Sequence, residues 1–558
     1  MAEEIVIETV EETYGPTVIG VSFGNANSSI AFTTKDGKVE VIANQDGDRS
    51  IPSVLSYVGE DEFHGFEAKA QLIRNSGNTV ANYRDFIGKA FAEIDPTYSS
   101  GSAHPVEKDG KVAYKLVVSS AEDAEAEVVT VDEIARRHLV RLRESAADFL
   151  GRAITGAVLA VPTDFKPAQR GALKAIAEEA GLNVLQIINE PVAALLAHDA
   201  GAGATPDRVV AVADFGYSRS DGAVIAVRGG MYTVLATAHD YELGGATLDK
   251  VLVDHFAKEF EKKYSIDPRT DSKRSLAKLE AAAEVARKTL SASTSATVSI
   301  ESLAGGFDFH STVNRLRYET LARKALDSVV AFVEGLVKKA ELDVLDIDEV
   351  VLVGGLSHTP KIASRLESLF DEHTTVAAPG SNPKALNPAE LIARGTAFQA
   401  SLIAGYEQAD IDESTQAVVT NAPHLAAPLG VALADGTFVP LLERYTAVPV
   451  RRSVQFAAPQ EGGNVFVAVA EGEEEIVVRT VERPTDEEDE EDEPFSDEEP
   501  EEVREKVVRA GKVVADAVLK DVPAGAQVEV IVNITAEKKV DVAVRAVGGG
   551  AAPVRGEV

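Results

Sequence analysis

The chain has 558 residues, with no cysteine, no tryptophan and only two methionines. Without cysteine, disulfides and thiolate metal sites are excluded. Basic residues are scarce: 55 Lys and Arg stand against 90 Asp and Glu, a formal net charge of −35. That balance argues against direct nucleic-acid binding, which needs clustered cations to displace counterions. Any role near RNA is expected to run through a basic partner. No stretch reaches the roughly eighteen uninterrupted apolar residues of a membrane span, and the acidic start, Met1 to Thr9, lacks the basic-then-apolar layout of a secretory signal. A soluble, cytoplasmic chain without a membrane partner is the expectation.

A hydrophobic content of 45% with 26% charged residues is ordinary for globular protein, and the length suits about three or four domains. After a tail at 1–16, the span 17–404 alternates Val/Ile-rich strands with long helical periods, an α/β texture. The spacing predicts helices at 132–150, 167–180, 246–264, 272–291 and 317–340, and strands at 155–161, 209–213, 223–227 and 349–353. A polar linker follows at 405–423, acidic at Gln408 to Ser414. From 424 to 547 the texture is strand without long helix, with candidates at 425–432, 438–442, 453–457, 464–470, 475–481, 513–519, 526–534 and 538–546. This reads as a compact β-sandwich, ending in a glycine-rich tail at 548–558. An acidic insertion, 485–502, interrupts it; thirteen of the seventeen residues from Asp486 to Glu502 are Asp or Glu. Self-repulsion predicts a disordered loop, with room for a helix after Pro500. Both a solubilising role and a docking role for a basic partner stay open.

A strand, a turn of small residues and a second strand occur twice, 192 residues apart, at Thr17 to Phe32 and Val209 to Val227. The turns carry Gly24 and Asn25 in one copy and Gly216 and Tyr217 in the other. Glycine tolerates positive φ, and successive N–H groups in such turns form a concave anion site. Two of them facing each other would grip one polyphosphate. Ser22 stands in the first copy where the second has Asp214, so this clamp has one acidic jaw missing. Gly244 and Gly245 open a helix, where free N–H groups favour phosphate, and Gly354 and Gly355 follow a buried strand. Each pair is also compatible with an ordinary turn. On the helix around 279–291, Leu279, Ala283, Ala286 and Leu290 form the apolar stripe, while Glu284, Arg287, Lys288 and Ser291 share another face. That face suits a ribose and a purine with the Arg stem stacked on the base. It suits equally a solvated surface with a Glu284–Lys288 pair.

Together these residues resemble the heat shock protein 70 (DnaK-type) chaperones, closely over about 17–403 and loosely over 424–547. The resemblance rests on Ile19 to Gly24, Asn44 to Ser53, Asn78 to Val80, Ala160 to Phe165, Gln169 and Arg170, Ala180 to Pro191, Ala286 to Ser291 and Val350 to Pro360. It implies an actin-like, two-lobed α/β ATPase domain around an ATP cleft, followed by a truncated β-sandwich substrate-binding-type domain without a helical lid. By position, Lys69 matches the lysine that orients the attacking water, Glu190 and Asp214 match carboxylates holding Mg²⁺ and its waters, and Asp221 matches a nearby acid. Glu284, Arg287, Lys288 and Ser291 match the adenosine pocket, and Gly354 and Gly355 its adenine and phosphate side. With Gly24, Asn25, Gly216, Tyr217, Gly244 and Gly245 they make up the expected ATP site. No metal ligand is assigned, and Mg²⁺ stays open. Lys69 also reads as a surface lysine, and Glu190 as a helix N-terminal acid.

The departures bear on function. The family carries Asp, Thr and Thr where this chain has Ser22, Asn25 and Ala26, and Thr where it has Arg219. A serine hydroxyl holds Mg²⁺ far less strongly than a carboxylate, and losing one preorganised group typically costs about 10²–10³ in rate. Such losses need not multiply, because the groups act as a unit. The expectation is ATP binding without efficient hydrolysis and no catalytic residue, with Arg219 partly replacing the cation's charge. The altered phosphate residues, polar linker and missing lid resemble the atypical ribosome-associated branch of the family, the Ssz type. That resemblance implies a stable heterodimer with a J-domain protein, zuotin-like, and contact with the ribosome through it. It also implies support for a second ribosome-bound family chaperone acting on nascent polypeptide. A working ATPase cycling on peptides remains an alternative, as does a sugar or glycerol kinase of the same superfold.

Overall fold

Short runs of Val, Ile and Ala that are apolar on both faces need cover on both sides, and in this chain they become the central strands of two sheets flanked by helices. The computed structural model describes residues 16–95, 101–119, 125–200, 203, 205–380, 382, 385–414, 416, 422–481, 501–547 and 553–557. In the first lobe the sheet order is Val184–Asn189, Gly156–Val161, Val18–Phe23, Asn27–Thr33, Val39–Ile42. In the second it is Thr375–Ala377, Glu349–Val353, Arg208–Phe215, Ser220–Arg228, Met231–Asp240. The plan is the same twice. In each sheet the leading strand of the repeated hairpin pairs antiparallel with its own return strand and parallel with a strand from much later in the chain.

Two helices, Glu190–Asp199 and Leu391–Ile403, cross between the sheets. Their close approach explains two glycines. A Cβ on Gly395 would collide with the Ala193 carbonyl, and one on Gly20 would strike the backbone of Thr396 and Ala397. The helix expected at 317–340 is interrupted at Ala322 (φ −82°, ψ 1°), giving Arg315–Leu321 and Arg323–Lys339.

The C-terminal region is two four-stranded sheets face to face. One runs Phe438–Leu442, Leu429–Ala432, Gly463–Val481, Glu501–Val522; the other runs Val450–Ala457, Gln527–Ile534, Val540–Ala546, Val554–Glu557. Alternate residues Val528, Val530, Val532 and Ile534 point inward to meet Val467, Val469, Ala517 and Leu519. Four expectations need correcting. The strands expected at 464–470 and 475–481 are one strand, Gly463–Val481, and the chain after Pro500 is strand rather than helix. Valines at 503, 507, 508, 513 and 514 favour that pairing, which runs from Gly463 opposite Val522 to Val481 opposite Glu501. The acidic insertion itself lies outside the described residues up to Pro500. The linker contains a short helix, Gln408–Ser414, that buries Ile411 and lets Gln408 Nε2 donate to the Leu185 carbonyl at 3.2 Å. The tail contributes a strand, Val554–Glu557, paired with Val540–Ala546. The sheets rest on the second lobe through Arg504 to Asp343 at 2.8 Å, Lys506 to Asp346 at 2.6 Å and Arg228 Nε to the Arg444 carbonyl at 2.9 Å.

Helix Val131–Leu150 begins at Thr130, whose hydroxyl accepts from the Glu133 N–H, and stops at Gly151 in the left-handed region (φ 66°). Its inner face carries His138, fully buried, with Nε2 3.0 Å from Ser28 Oγ. Burial, aided by nearby His64, pushes its pKa down to about 3 from 6.5. A histidine shifted this way stays neutral in the fold but takes a proton once unfolded. Its stabilising effect is therefore complete above pH 6.5 and is lost progressively as pH falls towards 3. Between pH 7 and pH 5 the first lobe should lose about 2 kcal/mol through this group. Denaturant midpoints at the two pH values should separate less in His138→Leu than in the parent; equal separations would contradict the assignment.

Candidate functional site

Each repeated hairpin ends in a turn whose shape its neighbours fix. In the first, Ser53 Oγ donates to the Gly24 carbonyl at 2.7 Å and Ser53 N–H to the Ala26 carbonyl at 2.9 Å. In the second, Gly216 N–H donates to the Arg219 carbonyl at 3.1 Å. The turns meet across a cleft, where Asn25 Nδ2 donates to Ser218 Oγ at 3.0 Å. Gly354 must be glycine, because its φ is 83° and a Cβ would strike the Asp214 carboxylate and the Phe215 carbonyl.

Two cavities share this cleft. The smaller, about 140 Å³, is lined by Ser22, Gly24, Asn25, Glu190, Asp214, Gly216, Tyr217, Arg219, Asp221, Gly354 and Gly355. The larger, about 330 Å³, adjoins it through Ala26, Asn27 and Tyr217 and is lined by Lys69, Glu284 and Lys288. Gly244, Gly245, Arg287 and Ser291 line neither. The N–H groups of Gly245 and Ala246 already donate to the Gly216 and Tyr217 carbonyls, both at 2.9 Å, so the start of that helix buttresses the second turn instead of offering free donors. Arg287 is buried and spent on Asp249, with Nε 2.5 Å from Oδ1. A buried guanidinium must be paired, and Asp249 supplies the partner. Ser291 Oγ bonds back to the Arg287 carbonyl at 3.3 Å.

Lys69 is likewise placed differently from the expected water-orienting lysine. Its Nζ lies 2.8 Å from both oxygens of Glu284, across the cleft, and Lys288 completes the cluster at 2.7 Å. Against its burial, Lys69 and Lys288 hold the Glu284 carboxyl down at about 2.

The phosphate end is a network of charges. Glu190 opens helix Glu190–Asp199 and receives Arg84 Nη1 at 2.9 Å. Arg84 also donates to the Phe23 carbonyl at 3.3 Å and pairs with Asp85 at 2.7 Å. Arg219, 5% exposed, pairs with Asp221 and with Asp164 at 2.9 Å, lies 3.8 Å from Asp85, and stacks on the Tyr241 ring at 4.5 Å. The Tyr241 hydroxyl in turn donates to Asp164. Asp214 has no ion pair among the described residues. Burial raises its carboxyl well above the ordinary range, and the like charges of Glu190 and Asp221 raise it further. Burial raises Glu190 as well, opposed by Arg84, and raises Asp221 against the pull of Arg219. Among the described residues no three His, Asp or Glu side chains already stand as a metal-ligand group.

The glycine turns, the excess of carboxylates over guanidiniums, and the buried Asn25 Oδ1, which has no partner among the described residues, fit a nucleotide's phosphates with a cation. Glu190 and Asp214 are the residues that would face that cation. Arg84, Asp85 and Tyr241 escaped sequence reading. They are isolated in the chain, and only folding gathers them. Asp164 lay within the family-like stretch Ala160 to Phe165 but carried no signal of its own.

With this geometry in place, the relationship is plain: the chain belongs to the Hsp70 family, whose model, described as Hsp70 protein, matches residues 18–482. The family binds ATP. Among curated relatives, the ribosome-associated complex subunit SSZ1 of Saccharomyces cerevisiae is 47% identical over 97% of this chain and 99% of its own length. A heat shock protein 70 homolog of Schizosaccharomyces pombe is 45% identical over 97% and 95%. A ribosome-associated molecular chaperone of Saccharomyces cerevisiae is 34% identical over 77% and 68%.

Two neighbouring glycines offer a check on the site. Gly354→Ala should cost about 1–3 kcal/mol through strain at positive φ, compounded by the Asp214 collision. Gly355→Ala, whose Cβ meets nothing within 4 Å, should leave thermal unfolding unchanged. Equal effects would mean that the cleft is not packed as described.

Proposed function

We propose that this chain is a regulatory member of its family that holds ATP with little or no hydrolysis. In this reading it works as a stable heterodimer with a zuotin-like J-domain protein at the ribosome, in the cytoplasm. The observation that carries the nucleotide half is the fate of Arg219. Its guanidinium is committed to Asp221, Asp164 and Asp85. Asp221 is thereby engaged, and the charge of Arg219 offsets carboxylates instead of standing free for a phosphate. Ser22 meanwhile brings a hydroxyl to the cavity wall where Asp214 brings a carboxylate on the other side. What remains is a grip without a full set of groups to align water and metal.

The partner half rests on kinship and charge. A protein named as a ribosome-associated complex subunit shares 47% of its residues with this chain over nearly the whole length of both. A net charge of −35 leaves RNA contact to a basic partner. The C-terminal sheets would hold a partner segment by strand addition or in an apolar groove. Nascent polypeptide and a second ribosome-bound chaperone of the family are the further associates in this reading. An active, peptide-cycling ATPase is the second reading, favoured by the retention of Glu190 and Asp214 at the cavity.

Back-substitution separates the two. Ser22→Asp with Asn25→Thr, Ala26→Thr and Arg219→Thr should raise single-turnover γ-phosphate release by about 10² or more. A parent chain that already hydrolyses at the rate of the reverted one, and loses that rate in Asp214→Ala, would establish the active chaperone instead. In size-exclusion chromatography, the parent mixed with a zuotin-like J-domain protein should elute as a one-to-one complex; separate elution would remove the partner half.

A further inference from the structure

Apart from the cleft, the first lobe carries another cavity of about 320 Å³, and no residue lines both. Its wall includes His64 and His138 together with Asp46, Glu67 and Glu144. His138 is 1% exposed, and its Nδ1 has no hydrogen-bond partner among the described residues; the buried Nδ1 of His64 has none there either.

The proton on His138 follows from the bonds around it. The Gly24 carbonyl only accepts, so the Ser53 hydroxyl spends its proton there at 2.7 Å. Ser28 Oγ, 2.8 Å from Ser53 Oγ, must then donate to Ser53. With the Ser28 proton used, His138 Nε2 at 3.0 Å is left as the donor. The Nδ1 of a neutral ring then bears a bare lone pair. His64 Nε2 faces the Glu62 carboxylate at 2.6 Å and so carries a proton, and its Nδ1 has no partner among the described residues.

Around these atoms the charge is negative. Glu144 is offset by Arg141 at 3.5 Å, whereas Asp46 and Glu67 have no ion-pair partner among the described residues. Buried acceptors left without donors are costly. The buried His138 acceptor, beside the unpaired carboxylates Asp46 and Glu67 on the cavity wall, suits a cation that carries N–H donors.

We propose that this cavity is a second ligand site, independent of the nucleotide cleft, for an ammonium group on a short aliphatic stem. One N–H satisfies the His138 lone pair and the charge sits between Asp46 and Glu67. The same chemistry comes from a free diamine or from the lysine side chain of a bound protein. The hydroxyl relay ends on the carbonyl of Gly24, so an occupant sits three side chains, His138, Ser28 and Ser53, away from the first phosphate turn.

The test is titration calorimetry on the full chain at matched ionic strength, with putrescine, Nα-acetyl-lysine methylamide and tetramethylammonium as probes. Histidine ring ¹⁵N spectra serve as a second readout. Saturable binding of either N–H-bearing probe, with the His138 Nδ1 resonance shifting on addition, supports the site; the tighter of the two identifies the source. Glu67→Gln, at the exposed rim, should weaken that binding about threefold without unfolding the lobe, and His138→Leu should abolish it. Absence of saturable binding, equal binding of tetramethylammonium, or an unmoved His138 resonance would overturn the proposal.

Discussion

A guanidinium taken out of water has to find carboxylates, and Arg219 finds them on both sides of the cleft. It stands at the end of the second hairpin turn, yet two of its partners, Asp85 and Asp164, belong to the first lobe. The cost of desolvating that charge is met only while the lobes hold this spacing, with Tyr241 covering the guanidinium face and bracing Asp164. In the proposed reading the same contact also bears on the chemistry. A cation fixed between acids cannot also move with a reacting phosphate, and an acid paired with it is not available to a metal or its water.

The duplicated architecture explains why such a cation is needed. Matching hairpins from matching sheets bring equivalent positions face to face, Ser22 on one side and Asp214 on the other. Were both acidic, a dense patch of negative charge would await a metal. With serine on one side, the acids Glu190 and Asp221 are balanced from within by Arg84 and Arg219. Asp214 alone keeps no partner among the described residues.

Much of the framework was legible because it lies in local pattern. The hairpins, most of the long helices and the alternating valines of Gln527–Ile534 follow from periodicity and turn residues. Individual roles were legible only where position alone decides them, as at Gly354. They were missed where a competing partner comes from afar. Arg287 looked poised for a base because its spacing shares a face with Glu284; Asp249, 38 residues earlier, takes it. Lys69 looked poised for phosphate, and Glu284, 215 residues later, takes it. The strand after Pro500 was masked by its acidic neighbours, since a pairing that spans Gly463–Val481 outweighs local charge. In each case the deciding interaction is long-range, and no local window contains it.

The central claim is that this cleft retains ATP intact. The most direct measurement loads the purified chain with ATP labelled on both the α- and γ-phosphates, removes free nucleotide, incubates it with Mg²⁺, and identifies the bound species after denaturation. The account requires both labels to remain together on ATP. Bound nucleotide carrying only the α-label, or a chain that retains neither label, would contradict it.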